Sequence, residues 1–274
     1  MTEPIRADAP ITPDGQTYHL HTKAGDLAEY CLLVGSPERA EMIATNLFRG
    51  GRLVGDHRGL RSYTGVAVRP DGIKTRPSTL KMSVVTTGMG GPTTGIVLPE
   101  AVYSGARVFI RVGSCSALQP GPKPGEAMIC TAAVRLEGTS LNWAPIEYPA
   151  VSDYRVVAAL VKSAEHQRLP HHVGIGATTD CFNEGQARPD RNGYLPPRLL
   201  AQHEELTARG VAFYSMEEAT IDVWCSTHGG FLAGAVDAVY GNRSNNAWAV
   251  TGDEEAAKIA IGAFFILNKL LGSP

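Results

Sequence analysis

Short apolar segments alternate with longer amphipathic ones along most of this chain. Residues 31–34 form an uninterrupted apolar run. Gly35 links this run to Ser36 and Pro37, residue types that suit a helix N-cap and the first helical position. The same change from a short apolar run to a helical period recurs toward the C-terminus. Strands that feed helices in this way indicate an α/β fold.

The periodicity also predicts where individual elements lie. A turn at 69–72, marked by Pro70 and Gly72, joins two strands into a hairpin. Residues 193–197 are predicted to form a long surface loop. Because no internal repeat or linker composition divides the chain, we interpret 1–274 as one domain with a flexible tail at 1–16. The predicted strands are 31–34, 61–68, 80–87, 107–112, 126–134, 173–178 and 232–240. Five helices are predicted: one that begins at 37, one that ends near 104, and three that span 153–167, 216–228 and 253–271.

Composition limits the partners that the chain can bind. Of its 274 residues, 43% are hydrophobic and 19% are charged, with a formal net charge of −2. A chain of this size can bury one large core. Its balanced charge provides no overall positive field for a nucleic-acid backbone or an anionic membrane surface, so any anion site must be local.

Neither the N-terminus nor the cysteines indicate export. The polar residues 1–10 fit no signal or transit peptide, and the longest apolar run, 259–267, is about half of what a bilayer requires. The five cysteines are widely spaced and form no C-x-x-C pair, and the adjacent His171 and His172 would point to opposite faces of a strand. We expect a cytoplasmic protein that holds no metal and binds neither membrane nor nucleic acid.

Three loops, 35–39, 88–94 and 111–116, combine glycines with a hydroxyl or a guanidinium. In open α/β sheets ligands bind where strands end, because helix N-termini there offer free N–H groups to anions. No loop is specific by itself, since 88–95 has neither a Walker A lysine nor G-x-G-x-x-G. Arg111 follows buried-strand residues and needs an anionic partner, such as phosphate, to offset its desolvation. The alternative is that Arg39, Arg58 and Arg111 are surface arginines paired with carboxylates.

Eight stretches, in order along nearly the whole chain, resemble the nucleoside phosphorylases and in particular their uridine phosphorylase branch. Two further segments, 134–140 and 144–151, are similar to that branch and are interpreted as markers of the fold. The eight stretches are Tyr18-His19-Leu20, Gly35-Ser36-Pro37-Glu38-Arg39, His57-Arg58, Thr87-Gly88-Met89-Gly90-Gly91-Pro92-Thr93, Arg111-Val112-Gly113-Ser114, Gly185-Gln186-Ala187-Arg188, Met216-Glu217 and Asn242-Arg243.

The resemblance implies a fold, an activity and an assembly. The fold would be a three-layer α/β/α sandwich around a central mixed, partly barrel-like sheet. The activity would be phosphorolysis of a pyrimidine nucleoside, most simply uridine, to the free base and ribose 1-phosphate, with inorganic phosphate as co-substrate and no cofactor. Members of the family form dimers that assemble into hexamers, so a homo-oligomer is expected.

The same resemblance assigns residues to phosphate. Gly35, Arg39, Arg111 and Ser114 would bind it, and Arg58 of the partner subunit would complete the site. Three guanidinium groups suit a dianion well.

The nucleoside would lie next to the phosphate. By resemblance Met216 and Glu217 hold the ribose together with Ser114, His19 of the partner subunit lies near the 5′ end, and Cys115 lines the pocket.

At the base end, the amide of Gln186 and the guanidinium of Arg188 match the polar edge of uracil. Phe182 would pack on the ribose or base, and Arg243 would close over Arg188. As phosphate attacks C1′, Gln186 and Arg188 would stabilise the departing uracil anion. The catalytic residues that the resemblance implies are Arg111, Gln186, Arg188 and Glu217.

Departures from the family's pattern leave base and sugar preference open. Gly59 also replaces a glutamate that binds a monovalent cation in some relatives. The alternatives are a phosphorylase with a different base or sugar preference, a nucleosidase that uses water, and a catalytically weak nucleoside-binding homologue. The departures in or near the expected site are Ser36 for aspartate, Cys115 for threonine, Ser116 for glycine and Ser215 for glutamate.

Overall fold

The computed structural model describes residues 7–272. Of the predicted tail at 1–16, residues 1–6 lie outside the described residues, whereas Ile11 forms a β-bridge with Thr17.

The described residues form eleven strands and six α-helices. The strands are β1 (Tyr30–Val34), β2 (Phe48–His57), β3 (Leu60–Val68), β4 (Thr79–Thr86), β5 (Val108–Ala117), β6 (Ala127–Leu136), β7 (Ala150–Val151), β8 (His171–Thr179), β9 (Phe213–Ser215), β10 (Leu232–Asn242) and β11 (Ala247–Trp248). The helices are α1 (Pro37–Asn46), α2 (Gly91–Ser104), α3 (Tyr154–Gln167), α4 (Pro197–Ala208), α5 (Glu218–Thr227) and α6 (Asp253–Leu270).

One continuous sheet holds the strands together, and part of it closes on itself. Strands β10, β6, β8, β9 and β5 form a ring, because β5 pairs with both β9 and β10. From β5 the sheet continues through β1, β4, β3 and β2. Parallel and antiparallel pairs both occur, so the prediction of a mixed, partly barrel-like sheet is confirmed.

Helices cover both faces of the sheet, which confirms the three-layer arrangement. Along β1, Tyr30 and Leu32 pack in the core formed with α1, α3 and α6. The intervening Cys31 and Leu33 pack instead against α2 and α5. A strand buried on both faces is expected to be apolar at every position, which explains the uninterrupted run at 31–34.

Five elements lie where the sequence pattern predicts none, namely β2, β7, β9, β11 and α4. Strand β2 is mostly exposed and interleaved with glycine, so it lacks an apolar alternation. Helix α4 has no buried residue and therefore no apolar stripe, although Pro197 of the predicted loop starts it. Strand β9 is only three residues long.

Of the predicted boundaries that differ from the structure, two affect expected site residues. Strand β5 does not end at 112 but continues to Ala117, because its polar second half pairs with β10 and β9 inside the barrel. Helix α5 begins at Glu218 rather than at 216. Met216 and Glu217 are therefore loop residues at the edge of the sheet.

The topology brings the chemically interesting loops to one edge of the sheet. Strand β1 is parallel to both β4 and β5, and β5 is parallel to β10. Their carboxyl ends therefore meet, which places the loops after Val34 and Thr86 beside the second half of β5. None of the helices between residues 7 and 272 is long and apolar enough to cross a membrane.

Candidate active site

A cavity of about 430 Å³ opens at this edge of the sheet. It gathers residues from loops far apart in the sequence, as the three-loop prediction requires. The predicted site residues that line it are Gly35, Arg39, Arg111, Ser114, Cys115, Phe182, Gln186, Met216 and Glu217.

At one end of the cavity, Arg39 is held by contacts that leave one donor free. Helix α1 begins beside the cavity because the side chain of Ser36 caps it, accepting a hydrogen bond of 3.2 Å from the backbone N–H of Arg39. Arg39 Nη2 donates to the Tyr240 hydroxyl at 3.0 Å and lies 3.2 Å from Asp253 Oδ1. Arg39 Nε is buried and has no hydrogen-bond partner among the described residues. The contacts of Nη2 fix the guanidinium in place where Arg39 lines the cavity.

The floor of the cavity contains a buried cluster of charges around Arg111. Its guanidinium, 8% exposed, donates to Asp237 and Glu217 and lies 2.9 Å from Glu218 Oε1. Burial opposes the charge, but the three carboxyl groups raise the pKa of Arg111 well above its usual value. The anionic partner that the sequence requires is therefore supplied, in this structure, by the protein itself.

A glycine makes the cluster sterically possible. Gly113 lies two residues after Arg111 on the same face of β5 and pairs in register with Asp237 of β10. A Cβ atom at Gly113 would overlap both the Arg111 guanidinium and the Asp237 carboxylate. The glycine at this position therefore admits the ion cluster.

Glu217 lies in the middle of the cavity wall. Its Oε1 accepts a hydrogen bond of 2.5 Å from the backbone N–H of Gly90, and its Oε2 accepts from Arg111. The side chain is fixed between two donors, and each oxygen retains a lone pair that can accept from a ligand hydroxyl. The neighbouring Met216 and Ser114, both partly exposed, complete this part of the wall.

At the opposite end, Gln186 is oriented by three hydrogen bonds. Its Nε2 donates to Thr179 Oγ1 at 3.2 Å and to the Ser215 carbonyl at 3.4 Å. Its Oε1 accepts from Arg188 Nη1 at 2.8 Å. The amide is almost completely buried, so its acceptor direction is set before a ligand binds.

Arg188 does not line the main cavity but lies directly behind its rim. Its guanidinium stacks 3.8 Å from the centre of the Phe182 ring, and its Nη2 donates to Ser116 Oγ at 3.0 Å. Burial and the nearby charge of Arg243 lower the pKa of Arg188 to about 10. Arg243 itself donates to the backbone carbonyls of Gln186 and Ala187 at 2.8 and 2.9 Å.

Arg188 and Arg243 line a second, smaller cavity of about 250 Å³. Ser116 and Trp248 line both cavities, so the two spaces adjoin at the Gln186 end. A base placed against Gln186 would lie beside both guanidinium groups.

Two predicted site residues lie away from both cavities. Arg58 occupies the tight turn between β2 and β3, has a φ of 54°, and is exposed. His19 lies in the N-terminal segment, where its Nδ1 is 2.7 Å from Glu100 Oε1. Both were expected to act on a neighbouring subunit, and neither reaches the cavities of its own chain.

The structure adds residues that the sequence did not single out. Tyr240 and Asp253 fix Arg39, while Glu218 and Asp237 surround Arg111. Each lies inside an ordinary strand or helix pattern with no local signal. The register of β10 against β5 and the packing of α5 and α6 bring them to the site.

Within residues 7–272, His, Cys, Asp and Glu side chains form no group of three that could hold a metal ion. The adjacent histidines have separate partners. His172 Nε2 lies 2.7 Å from Glu126, and His171 Nδ1 contacts the backbone carbonyl of Leu169.

Several known proteins are similar to this chain over most of its length. The uridine phosphorylase of Thermococcus kodakarensis is 41% identical over 269 residues, covering 96% of this chain and 91% of the relative. The uridine phosphorylase of Salmonella typhimurium is 36% identical over 230 residues, covering 83% of this chain and 86% of the relative. A guanosine phosphorylase of Halorubrum lacusprofundi is 31% identical over 225 residues, covering 82% and 83%. The family model described as the phosphorylase superfamily matches residues 29–265, and the chain belongs to this superfamily.

Proposed function

We propose that the chain catalyses phosphorolysis of uridine, in which uridine and phosphate give uracil and ribose 1-phosphate. The observation that carries the proposal is one cavity with Arg39 and Arg111 at one end, Glu217 in the middle and Gln186 at the other end. The similarity to uridine phosphorylases over most of the chain supports the same reaction.

Phosphate would bind at the Arg39 end. The guanidinium of Arg39, the hydroxyl of Ser114 and the backbone at Gly35 would provide donors there, with Arg111 beneath them. Arg58 of the partner subunit would supply a further guanidinium. A dianion surrounded by several guanidinium groups is bound strongly because its hydrogen bonds are charge-assisted.

The nucleoside would occupy the remainder of the cavity. A ribose hydroxyl would donate to the carboxylate of Glu217, while Met216 packs on the sugar. The base would stack near Phe182 and Cys115, with its polar edge toward Gln186 and Arg188. His19 of the partner subunit would bind the 5′ end.

The reaction needs no covalent enzyme intermediate. A phosphate oxygen forms a bond to C1′ while the C1′–N1 bond breaks, and the electron pair of that bond leaves with uracil. The resulting anion spreads onto the carbonyl oxygens of the base. Arg188 would stabilise it through its positive charge, while Gln186, whose Nε2 already donates to Thr179 and Ser215, would accept from N3–H and hold the base in position. Groups fixed before the reaction stabilise a transition state most effectively.

A different base preference is the second candidate. Ser116 Oγ accepts the hydrogen bond of Arg188, so the guanidinium that would read the base is partly committed to the protein. A relative named guanosine phosphorylase lies within the same range of similarity. A nucleosidase is less favoured because it would leave the end of the cavity lined by Arg39 and Arg111 without a substrate.

We also propose the assembly and the cellular location. The exposed position of Arg58 on a hairpin turn suits a residue that completes a neighbour's site, so we propose a homo-oligomer. The five unpaired cysteines suit a reducing compartment, and we propose the cytoplasm. Inorganic phosphate is the co-substrate, with no cofactor and no membrane or nucleic-acid partner.

Incubation with uridine in the presence and absence of phosphate tests the proposal directly. Chromatography would follow uracil and ribose 1-phosphate, with guanosine, inosine and thymidine as parallel substrates. We expect uracil only when phosphate is present. Equal release of uracil without phosphate would identify a nucleosidase, faster cleavage of another nucleoside would establish the different base preference, and binding without any product would identify a nucleoside-binding homologue.

A further inference from the structure

Beneath the phosphate end of the cavity, two carboxyl groups pack against each other behind Arg111. Asp237 is on β10 and Glu218 begins α5; both are at most 1% exposed as side chains. Glu217 contacts the same guanidinium. One buried cation therefore faces three carboxyl groups, which is more negative charge than it can neutralise.

The hydrogen bonds around this pair show where a proton is needed. Asp237 Oδ2 is buried and receives no hydrogen bond from the described residues, whereas Glu218 Oε1 is paired with Arg111 Nη1 at 2.9 Å. The other Glu218 oxygen accepts from Ser215 Oγ and from the backbone N–H of Glu217 at 3.3 Å. Asp237 and Glu218 interact directly. A proton held between the two carboxyl groups would give Asp237 Oδ2 the partner that it lacks.

We propose that Asp237 and Glu218 are positioning residues that share one proton behind Arg111, fixing its guanidinium beneath the phosphate while limiting the negative charge there. This inference rests on the proposed function because it assigns phosphate to the Arg111 end. With the proton in place, Arg111 faces two ionised carboxylates. Without it, three ionised carboxylates would lie next to an incoming phosphate dianion and repel it.

The titratable surroundings agree with the proton residing on Asp237. Burial and the charge of Glu218 raise the pKa of Asp237 well above its usual value, although Arg111 opposes this. Burial also acts on Glu218, but Arg111 and hydrogen bonds from Asp237 and Ser215 lower its pKa. The other titratable groups facing the pair are Cys115 on β5 and Cys130 on β6, thiols whose pKa values burial raises, and Asp222 on α5, whose pKa burial also raises.

The test compares two substitutions of Asp237. Asp237→Asn keeps an acceptor for Arg111 and a donor for Glu218 at every pH, whereas Asp237→Ala removes both. In D237A we expect the KM for phosphate to rise at least tenfold, with a smaller fall in kcat. In D237N the KM for phosphate should stay within about threefold of the wild-type value at neutral pH. As pH increases, the wild-type KM for phosphate should rise when Asp237 ionises, and D237N should lack that rise.

Asp222→Asn is the matched control. Asp222 is a buried aspartate on α5 that accepts from Ser152 and makes no ion pair with Arg111. The D222N variant should keep the wild-type KM for phosphate at neutral pH. A rise in the D222N value equal to that of D237A would attribute the effect to general packing and overturn the proposal.

Two further measurements do not depend on turnover. Infrared difference spectra of wild type against D237N should show the C=O band of a protonated carboxyl at neutral pH. Calorimetric titration with inorganic phosphate should reproduce the order of the KM values. A missing carboxyl band, or phosphate affinity as weak in D237N as in D237A, would overturn the shared proton. If the wild-type protein does not cleave uridine but shows the carboxyl band and binds phosphate, only the proposed reaction is refuted.

Discussion

The guanidinium of Arg188 shows how a single side chain is prepared for the base. Phe182 lies against its face, and Ser116 and Gln186 accept from its two terminal nitrogens. The nearby Arg243 makes the positive charge less favourable without an anion. A base that gains negative charge as its bond breaks would relieve this repulsion, so the interaction is stronger in the transition state than in the ground state.

Arg188→Ala should therefore slow the reaction more than it destabilises the fold. We expect kcat/KM for uridine to fall on the order of a hundredfold, about 3 kcal/mol of transition-state stabilisation. Because Arg188 is only partly buried, the melting temperature of the variant should differ little from that of the wild type. Steady-state kinetics and thermal unfolding would measure the two effects. Arg209→Ala removes an exposed arginine of an i,i+4 pair and should leave both unchanged; similar kinetics of the two variants would contradict the role of Arg188.

At the same scale, Asp237 should make stability depend on pH. Because burial raises its pKa in the folded chain, the folded state binds more protons than the unfolded state at pH values between the ordinary pKa of 3.8 and the raised value. The free energy of unfolding contributed by this group is therefore fully present below that window and is lost as pH rises through it. The difference between wild type and D237N, measured by urea unfolding at a series of pH values, should show this slope.

The exposed Asp71→Asn substitution is the control for that series. Its difference from wild type should be flat over the same pH range. A difference between wild type and D237N that is equally flat would mean that Asp237 titrates as in the unfolded chain.

At the scale of elements, helix α1 couples local stability to the phosphate end of the cavity. Ser36 lines the cavity and also caps the helix by accepting from the backbone N–H of Arg39. The helix therefore starts at a position that places Arg39 against Tyr240 and Val112.

Ser36→Ala should lower the free energy of unfolding by about 1 kcal/mol through loss of the cap. Ser36→Asn should retain most of the stability because asparagine is also a good N-cap. Chemical unfolding would separate the two variants. Equal stability of the alanine and asparagine variants would show that the cap does not stabilise α1.

At the scale of the whole molecule, the question is which residues a second copy contributes. Arg58 is exposed on the β2–β3 turn, and Arg188 lies behind the cavity of its own chain. If each site combines Arg188 of one chain with Arg58 of the other, a dimer of one Arg58→Ala chain and one Arg188→Ala chain has one site that lacks both arginines and one site that is intact.

Mixed oligomers of the R58A and R188A chains should regain activity. Each mixed dimer has one intact site of two, so about half of the sites should be active once the mixed dimers have been isolated. Co-expression with two affinity tags and tandem purification would provide the material. As a control, dimers of two R188A chains that carry the two different tags should stay inactive. If dimers of R58A and R188A chains are as inactive as either parent, Arg58 is not shared between subunits.

The sequence by itself determined the layered fold and the neighbourhood of the site. Buried strands need apolar residues at every position, and helix starts need capping groups, so runs such as 31–34 and the Ser36-Pro37 start are visible without the structure. Elements with little burial, such as α4, have no such pattern and were missed. The resemblance added the residues of the cavity, of which nine do line it.

Only the tertiary structure decided how these residues interact. Arg111 was expected to need an anion, but the sequence does not show that Asp237, 126 residues later, lies beside it. That contact depends on the register of two parallel strands and on the absence of a side chain at Gly113. Likewise, Asp253 reaches Arg39 only because α6 packs behind the sheet. Local pattern encodes which groups a segment offers, whereas long-range pairing determines which groups meet.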